Sequence, residues 1–409
     1  MTIFTFPYVI VEQRFPSYYE YKKALKRMEM AKMRVTDLEE KRSAARQPKQ
    51  GNPIIDCDVH HTFKHISMLY PYLPRKHKER IELWGGGFGG GPGTPNGGKG
   101  GRMADSHPPA GGPPCSDLPF MAEQHLDRYN VHYAILTGEF IESTFVADPY
   151  YAAAVCSAFN DFTIEHWLDK DSRLRGSIYL PIHDIAASVQ EIERVGSHPG
   201  MVQAYVPGGT HNPYGKRIYH PIYEACVKHG LNLAIHVGGE GSGMNPATTN
   251  VGYPSYYVEY RMARTQAFMA HMASLIFEGV FELYPELQVV FIEGGVFWVA
   301  PFLWKLDQEW RALREQSPWV TRKPSEYFQS NILIGSQPIE QTPNRAAFDI
   351  MMQEIYAKDR LVFCSDYPHW DFDSPKQAFP KMDKQLLHNI MYNNAAKLYK
   401  LPLLDALEE

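Results

Sequence analysis

Five cysteines in 409 residues, with no C-x-x-C pair and an odd total, exclude a disulfide framework and point to a reducing compartment. Long apolar runs are also lacking, and none approaches membrane-spanning length. The first eleven residues are apolar but carry no basic leading region and no small-residue cleavage site, and Glu12 and Arg14 follow at once. That is a poor secretory signal, so a soluble, cytoplasmic protein is expected. The net charge of −5 is small for this length and no broad basic stripe occurs, which excludes a nucleic-acid partner from the expectations. Glycine runs are present, but none forms G-x-x-x-x-G-K-[ST], and no strand leads tightly into a helix beside them. A phosphate-binding loop is therefore not expected.

A chain of this length can form one large domain, and its apolar fraction of 44% allows a substantial core. Residues 17–46 contain no Gly or Pro, and Tyr21, Leu25, Met28, Val35 and Leu38 fall at helical spacing. We expect an N-terminal helical arm over residues 1–51 that either packs on its own barrel or clasps another subunit, giving a homo-oligomer or a hetero-oligomer with a related chain. From residue 52 to 409, short β-branched or aromatic runs alternate with helix-like segments. The runs start with Ile54-Ile55-Asp56-Cys57-Asp58-Val59 and continue at 131–136, 176–180, 202–206, 231–236, 289–292, 331–334 and 361–364. Helices are predicted at 118–129, 150–168, 183–195, 220–229, 259–283, 296–314, 344–357 and 384–398. Near-continuous apolar strands, each followed by a helix, predict a (β/α)8 TIM barrel of the α/β class. A doubly wound open sheet is the alternative, but no G-x-G-x-x-G turn joins a strand to a helix. The Gly/Pro-rich segment 85–114 reads as a loop insertion after strand one, on the ligand side, as a lid or an assembly contact.

In such barrels the reactive groups stand at the C-terminal strand ends. Strand one ends on Asp58-Val59-His60-His61, and strict alternation would aim Asp56, Asp58 and His60 the same way. Strand five delivers His236, strand six Glu293-Gly294-Gly295, strand seven Gln337, and strand eight Asp366-Tyr367-Pro368-His369. Carboxylates and imidazoles from several strands converging on one mouth are the donor chemistry of a divalent metal site. His271, in a helix, is a further ligand or proton-transfer candidate, as is His369. Arg261, Arg264, Tyr253 and Gln337 are candidates for holding a substrate carboxylate.

With these strand ends, and with the closing Asn389-Ile390-Met391-Tyr392-Asn393-Asn394-Ala395-Ala396-Lys397-Leu398, the chain resembles the second amidohydrolase family over roughly residues 52–402. That family includes aminocarboxymuconate-semialdehyde and γ-resorcylate decarboxylases. The resemblance implies a divalent metal held by Asp58, His60, His236 and Asp366, and small carboxylate substrates that are hydrolysed or decarboxylated. In the family a His stands at strand six and acts on substrate or water; here that position is Glu293. The first His of the family's H-x-H is Asp58. More anionic donors than one zinc needs suggest two metals per chain, iron or manganese with zinc as a further candidate, and Glu293 as a ligand. The chain also resembles the 2-aminoisobutyric acid hydroxylase subunits, an oxygen-using branch with a dinuclear site. The missing strand-six His tips the expectation towards O2-dependent hydroxylation of a small amino or carboxylic acid. Hydrolysis or non-oxidative decarboxylation is the alternative, and a supporting subunit with a vestigial metal site is a third reading.

Overall fold

Each predicted apolar run becomes a parallel strand. In the computed structural model, which describes residues 52–85 and 101–402, they are β1 (Ile54–Val59), β2 (Val131–Leu136), β3 (Leu174–Tyr179), β4 (Met201–Pro207), β5 (Asn232–His236), β6 (Val289–Ile292), β7 (Ile332–Gly335) and β8 (Leu361–Val362). Their order in the sheet is their order in the chain. The ring is completed where the Cys57 N–H donates to Phe363 O (2.9 Å) and the His60 N–H to Tyr367 O (2.8 Å). This is the predicted (β/α)8 barrel. β1, β5, β6 and β7 are buried along their whole length, as expected of parallel strands covered on both faces. The arm and the glycine runs of the insertion fall outside the described residues.

The outer helices depart from prediction where local chemistry intervenes. The segment predicted at 259–283 is the helix Tyr257–Phe277, followed by the short Val280–Leu283. Gly279, at φ 76°, breaks the two apart. The segment predicted at 150–168 starts at Pro149, where the Asp148 carboxylate accepts the Tyr151 N–H at 3.1 Å, and the α-helix ends at Thr163 in a wider turn over Ile164–Leu168. A helix at Pro324–Asn331 was not predicted; at eight residues it is too short to show a periodic stripe.

Two features of the loops shape the mouth. The chain after β4 and the chain after β5 approach so closely that a Cβ on Gly209 would lie 2.2 Å from the Gly239 carbonyl carbon. The last part of the predicted insertion returns to the barrel, where the Met103 N–H donates to Pro368 O (2.9 Å) and Arg102 pairs as a bridge with His369. The insertion thus delivers a guanidinium to the strand ends.

Candidate metal centre

Asp58 and His60 leave β1 together, but the alternation does not extend back to Asp56. The pairing of β1 with β2 slips between Asp56 and Val59, so Asp56 is turned out of the mouth. It instead accepts from the Ser365 N–H (2.9 Å) and the Ser365 hydroxyl (2.5 Å), and meets His125 Nε2 at 2.7 Å. Asp56 is therefore a clamp between β1 and the chain after β8. His61 also faces away, its Nε2 2.7 Å from Thr163 Oγ1 and its ring stacked on Phe159.

The remaining donors converge. His60 Nε2 lies 3.2 Å from Asp58 Oδ1 and 3.0 Å from Asp366 Oδ1. His236 Nε2 lies 3.6 Å from Asp58 Oδ2 and 3.3 Å from Glu293 Oε2. The donor atoms of Asp58, His60, His236 and Glu293 all fall within 4.8 Å of one another, and those of His60, Glu293, Asp366 and His369 form a second, overlapping group. Donors about 2.1 Å from a shared ion stand about 3.0 Å apart at adjacent octahedral corners and about 3.4 Å apart at tetrahedral ones. Three of the observed separations, 3.0 to 3.3 Å, fall in that range, and the fourth, His236 Nε2 to Asp58 Oδ2 at 3.6 Å, lies just beyond it.

Hydrogen bonding leaves the right atoms free. His60 Nδ1 sits 2.9 Å from Gly138 O and His236 Nδ1 2.7 Å from Val237 O, which fixes each ring with its N–H on Nδ1 and its lone pair on Nε2. The Thr137 hydroxyl donates to Asp58 Oδ1 at 2.5 Å. Asp58 Oδ2, His60 Nε2, His236 Nε2 and Asp366 Oδ2 are enclosed with no hydrogen-bond partner among the described residues. Enclosed polar atoms of this kind are costly unless something charged lies between them. The residues present fit a divalent cation.

Electrostatics agree. Burial opposes a charge on His60, yet Asp58 and Asp366 outweigh it and raise its pKa; His236 is raised by Asp58 and Glu293 against the same burial. Burial would raise Asp58, but His60 and His236 hold it below the usual carboxylate range; Asp366 is held at about 2 by His369 and His60 despite burial. The cage calls for positive charge, which protons or a metal can supply. Glu293 is pushed up by burial and by Asp366, against the pull of Arg264. Glu293 and Asp366 both adopt left-handed backbone, at φ 68° and 59°. Such conformations cost energy in non-glycine residues and cluster at functional sites.

The other candidates separate. His369 joins the centre: its Nδ1 is bonded to Asp366 and its ring lies 4.3 Å from that of His60. His271 does not. Its Nδ1 accepts the Tyr214 N–H (3.2 Å) and its Nε2 donates to Gly208 O (2.7 Å), so both nitrogens are used in holding the chain after β4. It belongs to neither donor group of the centre. Arg264 pairs with Glu293 (3.0 Å), Arg261 pairs with Asp371, and both line the mouth. Tyr253 lies on an exposed loop, 54% accessible, and does not line the cavity. Gln337 is buried, its Nε2 donates to Asp371 O (3.1 Å) on the loop that faces Arg261, and its Oε1 has no hydrogen-bond partner among the described residues.

A cavity of about 230 Å³ opens over the cage. It is lined also by Glu139, Arg102 and Tyr205, which sequence reasoning missed. Glu139 pairs with Arg102 and lies 3.4 Å from His369 Nε2. The signal for it was Thr137-Gly138-Glu139 directly after β2, a strand end not read for donors. Arg102 carried no signal, because it sits inside a glycine-rich loop.

A barrel whose strand ends hold a buried His/carboxylate cage defines a metal-centre (β/α)8 protein. Residues 55–401 match the amidohydrolase family (Amidohydro_2), and the chain belongs to that family. It is 27% identical over 192 residues to 2-amino-3-carboxymuconate-6-semialdehyde decarboxylase of Dictyostelium discoideum, a match covering 44% of this chain and 48%, about half, of that protein. It is 23% identical over 288 residues to γ-resorcylate decarboxylase of Rhizobium radiobacter, covering 68% of this chain and 85% of that one. Among solved structures, dihydroxybenzoic acid decarboxylase of a Polaromonas species, with bound manganese and 2-nitroresorcinol, superimposes with a TM-score of 0.59 at 21% identity, over 86% of this chain and 98% of that one. These relatives favour the decarboxylation alternative over the oxygen-dependent hydroxylation to which the strand-six substitution had pointed.

Proposed function

We propose that this chain is a metal-dependent carboxy-lyase that removes CO2, without oxidation, from a small carboxylate substrate. The observation that carries the proposal is that Asp58, His60, His236 and Asp366 approach one another pairwise, His60 at 3.2 Å from Asp58 and 3.0 Å from Asp366 and His236 at 3.6 Å from Asp58, beneath a mouth that presents Arg261 and Arg264. Those four residues would hold the ion, and manganese is the ion in the Polaromonas relative. When bound, it supplies a Lewis acid that polarises substrate oxygens. Arg264 orients the anion: its Nη1 is taken by Glu293, while its Nε is enclosed without a partner among the described residues. In the reaction the bond from ring or chain carbon to the carboxylate breaks, its electron pair stays on that carbon, and a proton takes the place of CO2. Glu293, at the position where the family resemblance expects a His, is the group we assign to hold and deliver that proton. Its Oε2 faces the cage beside His236.

A second reading rests on the overlap of two donor groups through His60 and Glu293, which gives room for two ions and for O2-dependent hydroxylation. One experiment separates them. The Mn2+-loaded protein, with metal counted per chain, is incubated with hydroxybenzoates, muconate-type acids and small amino acids, with and without air. CO2 release independent of O2, with deuterium from D2O replacing the carboxylate, is expected. Two metals per chain with O2 consumed in step with product would establish the second reading instead.

A further inference from the structure

Tyr205, in the last part of β4, is fully buried, yet its hydroxyl has no hydrogen-bond partner among the described residues. A buried phenol O–H nearly always finds an acceptor in a folded protein, so an unpaired one needs a reason. The side chain lines the cavity over the cage together with His60, His236 and Glu293. Its ring cannot swing to another partner. It stacks on Tyr179 at 4.9 Å and 25°, and lies 5.5 Å from the ring of His236. Tyr179 is itself anchored, its hydroxyl donating to Thr137 O at 2.5 Å, and the Thr137 hydroxyl in turn holds Asp58. A donor held this rigidly beside an anion site is preorganised for an oxygen that arrives with the ligand.

We propose that Tyr205 is a catalytic residue whose hydroxyl donates a hydrogen bond to an oxygen of the bound carboxylate. This rests on reading the cage as a metal centre for small carboxylates, but not on which reaction follows. The mouth then grips its ligand from two sides, with guanidinium from the helix Tyr257–Phe277 and phenol from β4. The Phe ring fits the same stack, so Tyr205→Phe removes the donor alone.

The test uses the full chain loaded with Mn2+ and acetate as the probe, followed by calorimetry. Tyr205→Phe is expected to keep the wild-type manganese content and an equal or higher Tm, while acetate affinity falls about tenfold to a hundredfold. Unchanged acetate affinity in the variant overturns the assignment, as does a wild type that binds no acetate, because the donor then has no oxygen to hold. A loss of manganese in the variant also overturns it, by making Tyr205 a support of the cage. If acetate binding depends on Tyr205 but no carboxylate releases CO2, the assignment stands and the carboxy-lyase reading fails.

Discussion

At the scale of single residues, two histidines separate a candidate ligand from a core residue by what their nitrogens touch. His60 gives its N–H to Gly138 O and aims a lone pair at the cage, whereas His271 has both nitrogens engaged in the chain after β4. Burial pushes His271 down to about 4, against the bond to Gly208 that favours its charged form. The sign follows from that depression. Between the ordinary value near 6.5 and about 4 the unfolded chain takes up a proton that the folded one refuses. This contribution to stability is therefore complete above about pH 6.5 and is lost as the pH falls through that window, by at most about 3 kcal/mol. Gln can donate to Gly208 and accept from Tyr214, so His271→Gln should flatten this part of the denaturation-versus-pH curve. A curve as steep as wild type between pH 6.5 and 4 would remove His271 from the account.

At the scale of elements, the site depends on how closely neighbouring strand-end loops can approach. Gly209 and Gly239 meet backbone to backbone, and Asn245 Nδ2 donates to the carbonyls of both at 3.0 and 2.8 Å. A methyl group at Gly209 has no flexible neighbour to displace. Gly209→Ala should cost about 1–3 kcal/mol by overpacking, and should shift the chain after β5 that begins at His236. Urea denaturation checks the stability, and metal titration checks the centre. A variant with wild-type midpoint and metal affinity would show that the approach is loose. Strand ends were readable because buried parallel strands must be apolar, so a carboxylate or imidazole at the end of one stands out. Glu139 was legible by the same rule after β2. Tyr205 was not, since an aromatic in a buried strand is ordinary packing until its hydroxyl is seen unpaired.

For the whole molecule, an ion that binds only the folded barrel stabilises it by about 3 kcal/mol at a hundredfold excess over its Kd. Chelation should accordingly lower the Tm of the loaded protein by several degrees, and His60→Ala or His236→Ala should abolish both the metal content and the chelator effect. Full occupancy in both variants would sink the cage as a metal centre. Among the described residues no helix is long and apolar enough to cross a membrane. The five cysteines are free and buried, as expected without a disulfide framework. The arm predicted over residues 1–51 lies outside the described residues, and its apolar spacing is the ground for proposing assembly through it. Deleting residues 1–50 should reduce the mass seen by light scattering, and an unchanged mass would end that proposal.

The sequence alone determined the barrel and its principal donors, because strand burial and strand-end polarity are local properties written in consecutive residues. It placed Asp58, His60, His236, Glu293 and Asp366 at strand ends, and the tertiary structure brought them into two overlapping donor groups that share His60 and Glu293. What only that structure decided depends on register and on long-range partners. A slip in the β1–β2 pairing turned Asp56 into a clamp, and backbone groups after β4 satisfied His271. Arg102 came to the mouth from 37 residues before its partner Glu139. Whether a polar atom is spent or free depends on what lies opposite it in space, and no spacing along the chain encodes that.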